Sequence, residues 1–196
     1  MTGRHPVTHE DGITDNVRAR EEEHFRKKDR ELIEKLRQAD RDAKAKRALE
    51  QQTGIHDPAM LQDLRALGFT PDTIVLLPFV PMLQVAWANA GISDAERSMI
   101  TNLARTRGIT AGSAADQQLT EWLEHRPSDD AFHKADRLIR AIIDSPGGGA
   151  LHLNADELIS LCDRIAHASG GIFGIGRVSH QEREALAEIA ATIKKR

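Results

Sequence analysis

An all-α fold is predicted by three features of the sequence. Apolar residues recur at helical spacing, as in Phe132, Ala135, Ile139 and Ile142. Helix-start and helix-stop residues bracket those runs. No alternating run is long enough to form a strand. The expected architecture is a compact bundle of about seven short helices with a long helix ahead of it. Residues 1–13 are expected to be a disordered tail, 14–54 the long charged helix and 55–196 the bundle.

The long helix follows from composition. Asp15 to Thr53 contains neither Pro nor Gly and is dominated by strong helix formers. Asp15 or Asn16 serves as cap, Glu21 to Glu23 fall in the early turns, and Gly54 supplies the stop. At 1.5 Å per residue the rod is roughly 55 Å long, more than a small domain is wide. Part of it must project or pair with another chain. Phe25, Leu32, Leu36, Ala39 and Ala43 form a short heptad seam that fades at Lys46 and Glu50. The seam implies a homodimer or a protein partner docked on this helix. A solvated single helix held by i,i+4 charge pairs is the other reading.

The rest reads as short helices with clear punctuation. "DPAMLQDLRALG" has Asp57 as cap, Pro58 at the first helical position and Gly68 as stop. "TPDTIVLL" repeats that grammar with Thr70 and Pro71. Phe79 to Ala90 is apolar nearly all round, as a central helix should be. Helices follow over "SDAERSMITNLARTRG", "SAADQQLTEWLEH", "SDDAFHKADRLIRAIID", "NADELISLCDRIAHAS" and "SHQEREALAEIAATIKK", with "SPGGGA" a flexible turn.

Composition excludes several function classes. The net charge of −3 gives no global pull toward nucleic acid or anionic membrane. Aromatics are 4% with no Tyr, too few for base-stacking platforms. The long helix region, up to Gln52, is densely charged yet nearly neutral, with 13 Lys/Arg against 12 Asp/Glu. The single Cys162 forms no intrachain disulfide and, among apolar helical neighbours, reads as an inert core thiol. The N-terminus "MTGRHPVTHEDG" has no apolar leader, so a cytoplasmic location is expected. Thr73 to Ile92 is long enough to cross a bilayer but carries Pro78, Pro81, Gln84 and Asn89. It reads as the buried centre of the bundle, with no transmembrane span.

One phrase occurs twice. Ser93-x-x-Glu96-Arg97 and Ser179-x-x-Glu182-Arg183 are both capping boxes, followed by matching apolar stripes. Ile100 falls on Leu186, Leu103 on Ile189 and Ala104 on Ala190. Upstream, Ala86 and Ala88 match Ala166 and Ala168, so the second copy has the longer loop. Two related helix–loop–helix units would close one core that neither could bury alone.

"LPFVPMLQVAWANAGISDAER" and "ASGGIFGIGRVSHQERE" resemble phrases of the TerB-like domain of tellurite-resistance proteins. The resemblance covers roughly Gly68 to Ile193. It implies an all-helical fold of duplicated helix–loop–helix units and a non-enzymatic role in stress-response assemblies. Some members bind metal ions through acidic loop residues, which makes Asn89, Asp94, Glu96 and Glu182 the candidate ion or polar loop site. The family's usual Asp-Gly of the first loop stands here as Asn89-Ala90. That departure weakens a divalent cation and any metal-dependent enzyme built on it. No cofactor, metal centre or catalytic group is assigned. The long helix stretch "AREEEHFRKKDRELIEKLRQ" is in turn similar to the inhibitor protein of rotary ATP synthases, which implies an alternative role as an inhibitory wedge.

Other motifs have plainer readings. Asp156, Ser160, Asp163 and His167 share a helix face opposite Leu158, Cys162 and Ile165, so they are solvated. Asp129, His133, Asp136 and Arg140 form a second strip, explained by a helix-start Asp129 and an Asp136–Arg140 pair. "SGGIFGIGR" fits no phosphate-loop pattern. Its Ile172, Phe173 and Ile175 tuck into the bundle or, if exposed, form a docking tip, a candidate separate from Phe25, Leu32 and Leu36 of the long helix.

Overall fold

In the computed structural model the described residues are 9–145, 149–168 and 178–194, with side chains of the first helix described from Glu22 onward. All regular structure among them is helical: α1 His9–Thr53, α2 Pro58–Ala66, a 3-10 segment Ile74–Phe79, α3 Val80–Ala86, α4 Asp94–Thr106, α5 Ala114–Glu124, α6 Asp129–Asp144, α7 Ala155–Ala168 and α8 His180–Ile193. None of these helices is long and apolar enough to cross a membrane. The chain divides into two compact units, Met1–Lys44 and Ala45–Arg196.

The helices start where local chemistry supplies a partner for the first free amides. Asp57 Oδ1 accepts from Ala59 N at 2.7 Å, with Pro58 at the first position of α2. Ser113 and Ser128 cap α5 and α6, and Asn154 Oδ1 accepts from Glu157 N at 3.0 Å at the head of α7. The stops are equally local. At the end of α2, Gly68 has φ +82° and Phe69 N donates to Leu64 O at 3.0 Å. At the end of α4, Gly108 has φ +84° and Ile109 N donates to Ala104 O at 3.0 Å. Both are Schellman closures, and both place a buried apolar residue just past the glycine.

α3 is the centre of the bundle. Val80, Pro81, Met82, Leu83, Val85 and Ala86 are all buried, and α3 packs against α6, α7 and α8. The expected helix from Phe79 to Ala90 is therefore shorter than its apolar run, ending at a Trp87 cap. Trp87 Nε1 donates to Trp122 O on α5 at 2.9 Å, and Trp122 meets Phe69 edge to face at 5.7 Å. The helix expected from Thr70-Pro71 is a correction. Thr70 N donates to Thr73 Oγ1 at 2.9 Å, a side-chain turn that competes with an α-turn. Pro78 has no amide to donate, and the chain from Ile74 runs as a 3-10 segment instead.

The long helix begins at His9, five positions ahead of the expected start, and stops at Gly54 as read, where φ is +70° and Gly54 N donates to Glu50 O at 2.8 Å. Its final turns belong to the bundle, because Leu49 is 1% exposed and Thr53 is fully buried. The loop after α6 closes on this end. Leu151 N donates to Gln52 O at 3.1 Å, and Ser145 Oγ donates to Gly54 O at 3.1 Å. Gly149 lies so near that a Cβ there would stand 2.4 Å from Gln52 O and 2.5 Å from Thr53 C.

Gly149→Ala is expected to destabilise the chain by more than the ~1–2 kcal/mol of its left-handed backbone alone, since the obstructing atoms are main chain. Gly108→Ala, with open space around it, is expected to show only that conformational cost. Urea midpoints of the two variants, measured side by side, check the order.

Candidate functional site

The two capping boxes are formed. Ser93 Oγ accepts from Glu96 N at 3.3 Å, and Glu96 Oε2 accepts from Ser93 N at 2.8 Å. Ser179 Oγ accepts from Glu182 N at 3.1 Å, and Glu182 Oε2 accepts from Ser179 N at 2.6 Å. Capping glutamates normally face solvent. Here Glu96 is 1% exposed and Glu182 fully buried.

Asn89, in the loop after α3, joins the second box. Its Nδ2 donates to Glu182 Oε1 at 3.0 Å, and its Oδ1 accepts from Ser179 Oγ at 2.9 Å. Both ends of the amide are used, and both oxygens of Glu182 have donors. The loop after α3 is thereby bonded to the start of α8. The amide at position 89 has a chemical role in this fold. An aspartate at 89 could not donate to Glu182 and would set one carboxylate against another.

Glu96 is less well supplied. Its Oε2 takes both the Ser93 amide and the Ser93 hydroxyl, at 2.8 Å and 2.7 Å, while its buried Oε1 has no hydrogen-bond partner. Burial pushes its carboxyl above the usual range, the Ser93 hydrogen bonds oppose that shift, and the charge of Glu182 adds to it. Of the four candidate residues, the structure brings Asn89 and Glu182 into contact, with Glu96 near enough to feel the Glu182 charge. Asp94 is exposed in the first turn of α4 and makes none of these bonds. Among the described residues, no group of three or more His, Cys, Asp or Glu is arranged to hold a metal ion. What this cluster does chemically is hold charge still: it fixes two helix starts and one loop.

The repeat is tight at the caps and looser beyond them. Glu96 and Glu182 are both buried, but Ile100 is buried where Leu186 is half-buried, and Ile189 is buried where Leu103 is half-buried. The cause is different neighbours, since α8 packs on α3, α6 and α7, while α4 packs chiefly on α7.

The Asp156, Ser160, Asp163 and His167 strip is exposed, as expected. The other strip needs correction. Arg140 pairs with Asp144 and donates to Ile193 O at 3.0 Å at the end of α8, not to Asp136. Asp136 is 1% exposed, and its Oδ1 has no hydrogen-bond partner. Burial, with Glu188 adding its charge, pushes this carboxyl up to about 7. The signal was present in the sequence: position 136 follows Phe132 by one turn and precedes Ile139, inside the apolar arc. Cys162, fully buried, has its thiol pushed far up by burial and by Asp136 and Asp163, so it is no nucleophile at neutral pH.

On the long helix, Phe25 is 64% exposed, Leu32 56%, Ile33 47% and Leu36 62%. Charge pairs flank them: Glu22–Arg26, Glu34–Arg41 and Asp40–Lys44, at 3.5, 2.9 and 2.8 Å. The helix thus carries the features of both readings, a seam and a laced surface. The other docking candidates, Ile172, Phe173 and Ile175, lie outside the described residues.

Comparison with known proteins leaves the chain unassigned: no family model matches it, and neither a curated protein nor a solved structure gives a significant match.

Two outcomes are expected. Asn89→Asp should cost about 1–3 kcal/mol at neutral pH, because a buried acceptor loses its donor and gains a like charge; urea unfolding measures it. Asp136 ionises at 3.8 unfolded and near 7 folded, so the native state holds its proton more tightly. Stability from this group is full below pH ~4 and is lost as pH rises toward 7, at up to ~1.4 kcal/mol per unit. The wild type should therefore lose roughly 2 kcal/mol or more relative to Asp136→Asn between pH 5 and pH 8 in urea titrations. Parallel curves for the two proteins would contradict the assignment.

Proposed function

We propose that this chain is a non-enzymatic interaction module in which the exposed stripe of α1 docks a protein partner and the bundle anchors that helix. The carrying observation is the row of Phe25, Leu32, Ile33 and Leu36, each between 47% and 64% exposed. Large side chains lined up this way on a charged helix are costly to leave in water. Burying each one fully is worth roughly 1.5–3 kcal/mol. Phe25, Leu32 and Leu36 at heptad spacing, with Ile33 beside them, present one face to a partner rather than scattered contacts.

The polar cluster supports the same reading. Ser93, Glu96, Asn89, Ser179 and Glu182 are engaged in capping and cross-linking, which gives them a structural role without a substrate. The TerB-like resemblance belongs to this proposal too. It would make the bundle a duplicated helix–loop–helix scaffold working in a stress-response assembly, with the α1 stripe as its added feature.

The test compares wild type with a Leu32→Asp, Leu36→Asp double variant. Both positions are exposed, so the unfolding free energy of the isolated chain should fall by no more than about 1 kcal/mol, the helix-propensity cost of two aspartates. Association, read by capture on the immobilised full chain and by sedimentation, should be lost. If the two proteins associate identically in both assays, the stripe is not a docking surface.

A further inference from the structure

The flanks of the seam carry information about what covers it. Phe25, Leu32 and Ala39 occupy one seam position of the heptad, and Asp29, Leu36 and Ala43 the other. The positions beside them read basic toward the start, at Arg26 and Lys28, and acidic toward the end, at Asp40 and Asp42. All of these residues lie within the unit Met1–Lys44. We infer that the occupant of the α1 stripe is a second copy of this chain, laid antiparallel with its two-fold axis between Ile33 and Lys35. The inference rests on the docking role proposed for α1.

The argument is charge and size complementarity. About that axis, Leu32 faces Leu36 of the second copy and Leu36 faces Leu32. Phe25 faces the small Ala43, and Asp29 faces Ala39. Arg26 comes beside Asp40 and Lys28 beside Asp42, each pair formed twice by symmetry. Ile33 meets its own copy, so the four large exposed apolar side chains among the described residues, Phe25, Leu32, Ile33 and Leu36, are covered. Like charges approach at Lys35 against its copy, at the rim where water screens them, and at Asp29, which faces Ala39 beside Asp40 of the second copy. A parallel, in-register pair is poorer. It sets Asp29 against Asp29 across the seam and Lys28 beside Ile33. The internal pairs that Arg26 and Asp40 now make, with Glu22 at 3.5 Å and Lys44 at 2.8 Å, are solvent-exposed i,i+4 bridges and are readily shared or exchanged.

The experiment uses the full chain. Sedimentation equilibrium up to ~100 μM is expected to show a monomer–dimer equilibrium. Arg26→Asp or Asp40→Arg alone creates two like-charge pairs per dimer and should weaken dimerisation about tenfold or more. An equimolar mixture of these two variants restores both pairs in the heterodimer and should recover wild-type affinity. Orientation is read with cysteines, since the native Cys162 is fully buried. A Leu32→Cys chain mixed with a Leu36→Cys chain should cross-link on oxidation, while Leu32→Cys alone should not. A wild-type monomer throughout, single variants that dimerise normally, or self-cross-linking of Leu32→Cys would each overturn the inference. If the wild type stays monomeric yet the Leu32→Asp, Leu36→Asp variant still loses a captured protein, the second copy is excluded and the docking role survives. If that variant changes nothing in either assay, both fall.

Discussion

The bundle depends on the burial of two helix-capping carboxylates. A carboxylate taken from water costs several kcal/mol unless donors replace its hydration. Glu182 has donors on both oxygens, and one of them comes from Asn89 on the loop after α3. That bond makes the cap of α8 dependent on the loop after α3. It also restrains the loop that leaves α3, the most deeply buried helix. Glu96 is the weaker partner, with two donors on one oxygen and none on the other. The two boxes look alike in sequence and differ in this respect because only the second meets an amide side chain.

A second tension lies across the core. Asp136 on α6 is buried beside Cys162 of α7 and within reach of the Glu188 charge on α8. An apolar residue of that size would pack there without the cost of dehydrating a charge. Instead the carboxyl adjusts by holding its proton nearly to neutrality. Gln84 on α3 shows the same feature, with a buried Oε1 that lacks a hydrogen-bond partner. These groups mark where the fold accepts less than its maximal stability, as natural cores often do.

What was legible in the sequence was what is decided locally. Capping boxes, the Pro58 start, the Gly54, Gly68 and Gly108 stops and the outward strip on α7 each depend on residues within one or two turns. The features that the sequence hides depend on which of several possible partners wins, some near in the chain and some distant. Asp136 was assigned to Arg140 because they are four apart, yet Arg140 is drawn to Asp144 and the carbonyl end of α8. Thr70-Pro71 looked like a helix start, but Thr73 and Pro78 redirect the chain into 3-10 geometry. In the sequence Asn89 is only a candidate polar loop residue. Its use became visible only when α8 was placed beside it.

The long helix shows how one element can serve two ends. Its apolar residues change partner near Ala45. Beyond that point Leu49 and Thr53 are buried within the bundle, and Thr53 Oγ1 closes the last turn by donating to Leu49 O at 2.7 Å. Before it, Phe25, Leu32, Ile33 and Leu36 remain open to solvent. A helix of this composition gains only a few tenths of a kcal/mol from each i,i+4 pair. Its anchored end supplies the costly nucleus and the packing, from which helix can propagate toward the exposed seam. The buried end thus favours helix through the stripe, which the charge pairs on α1 hold only weakly by themselves.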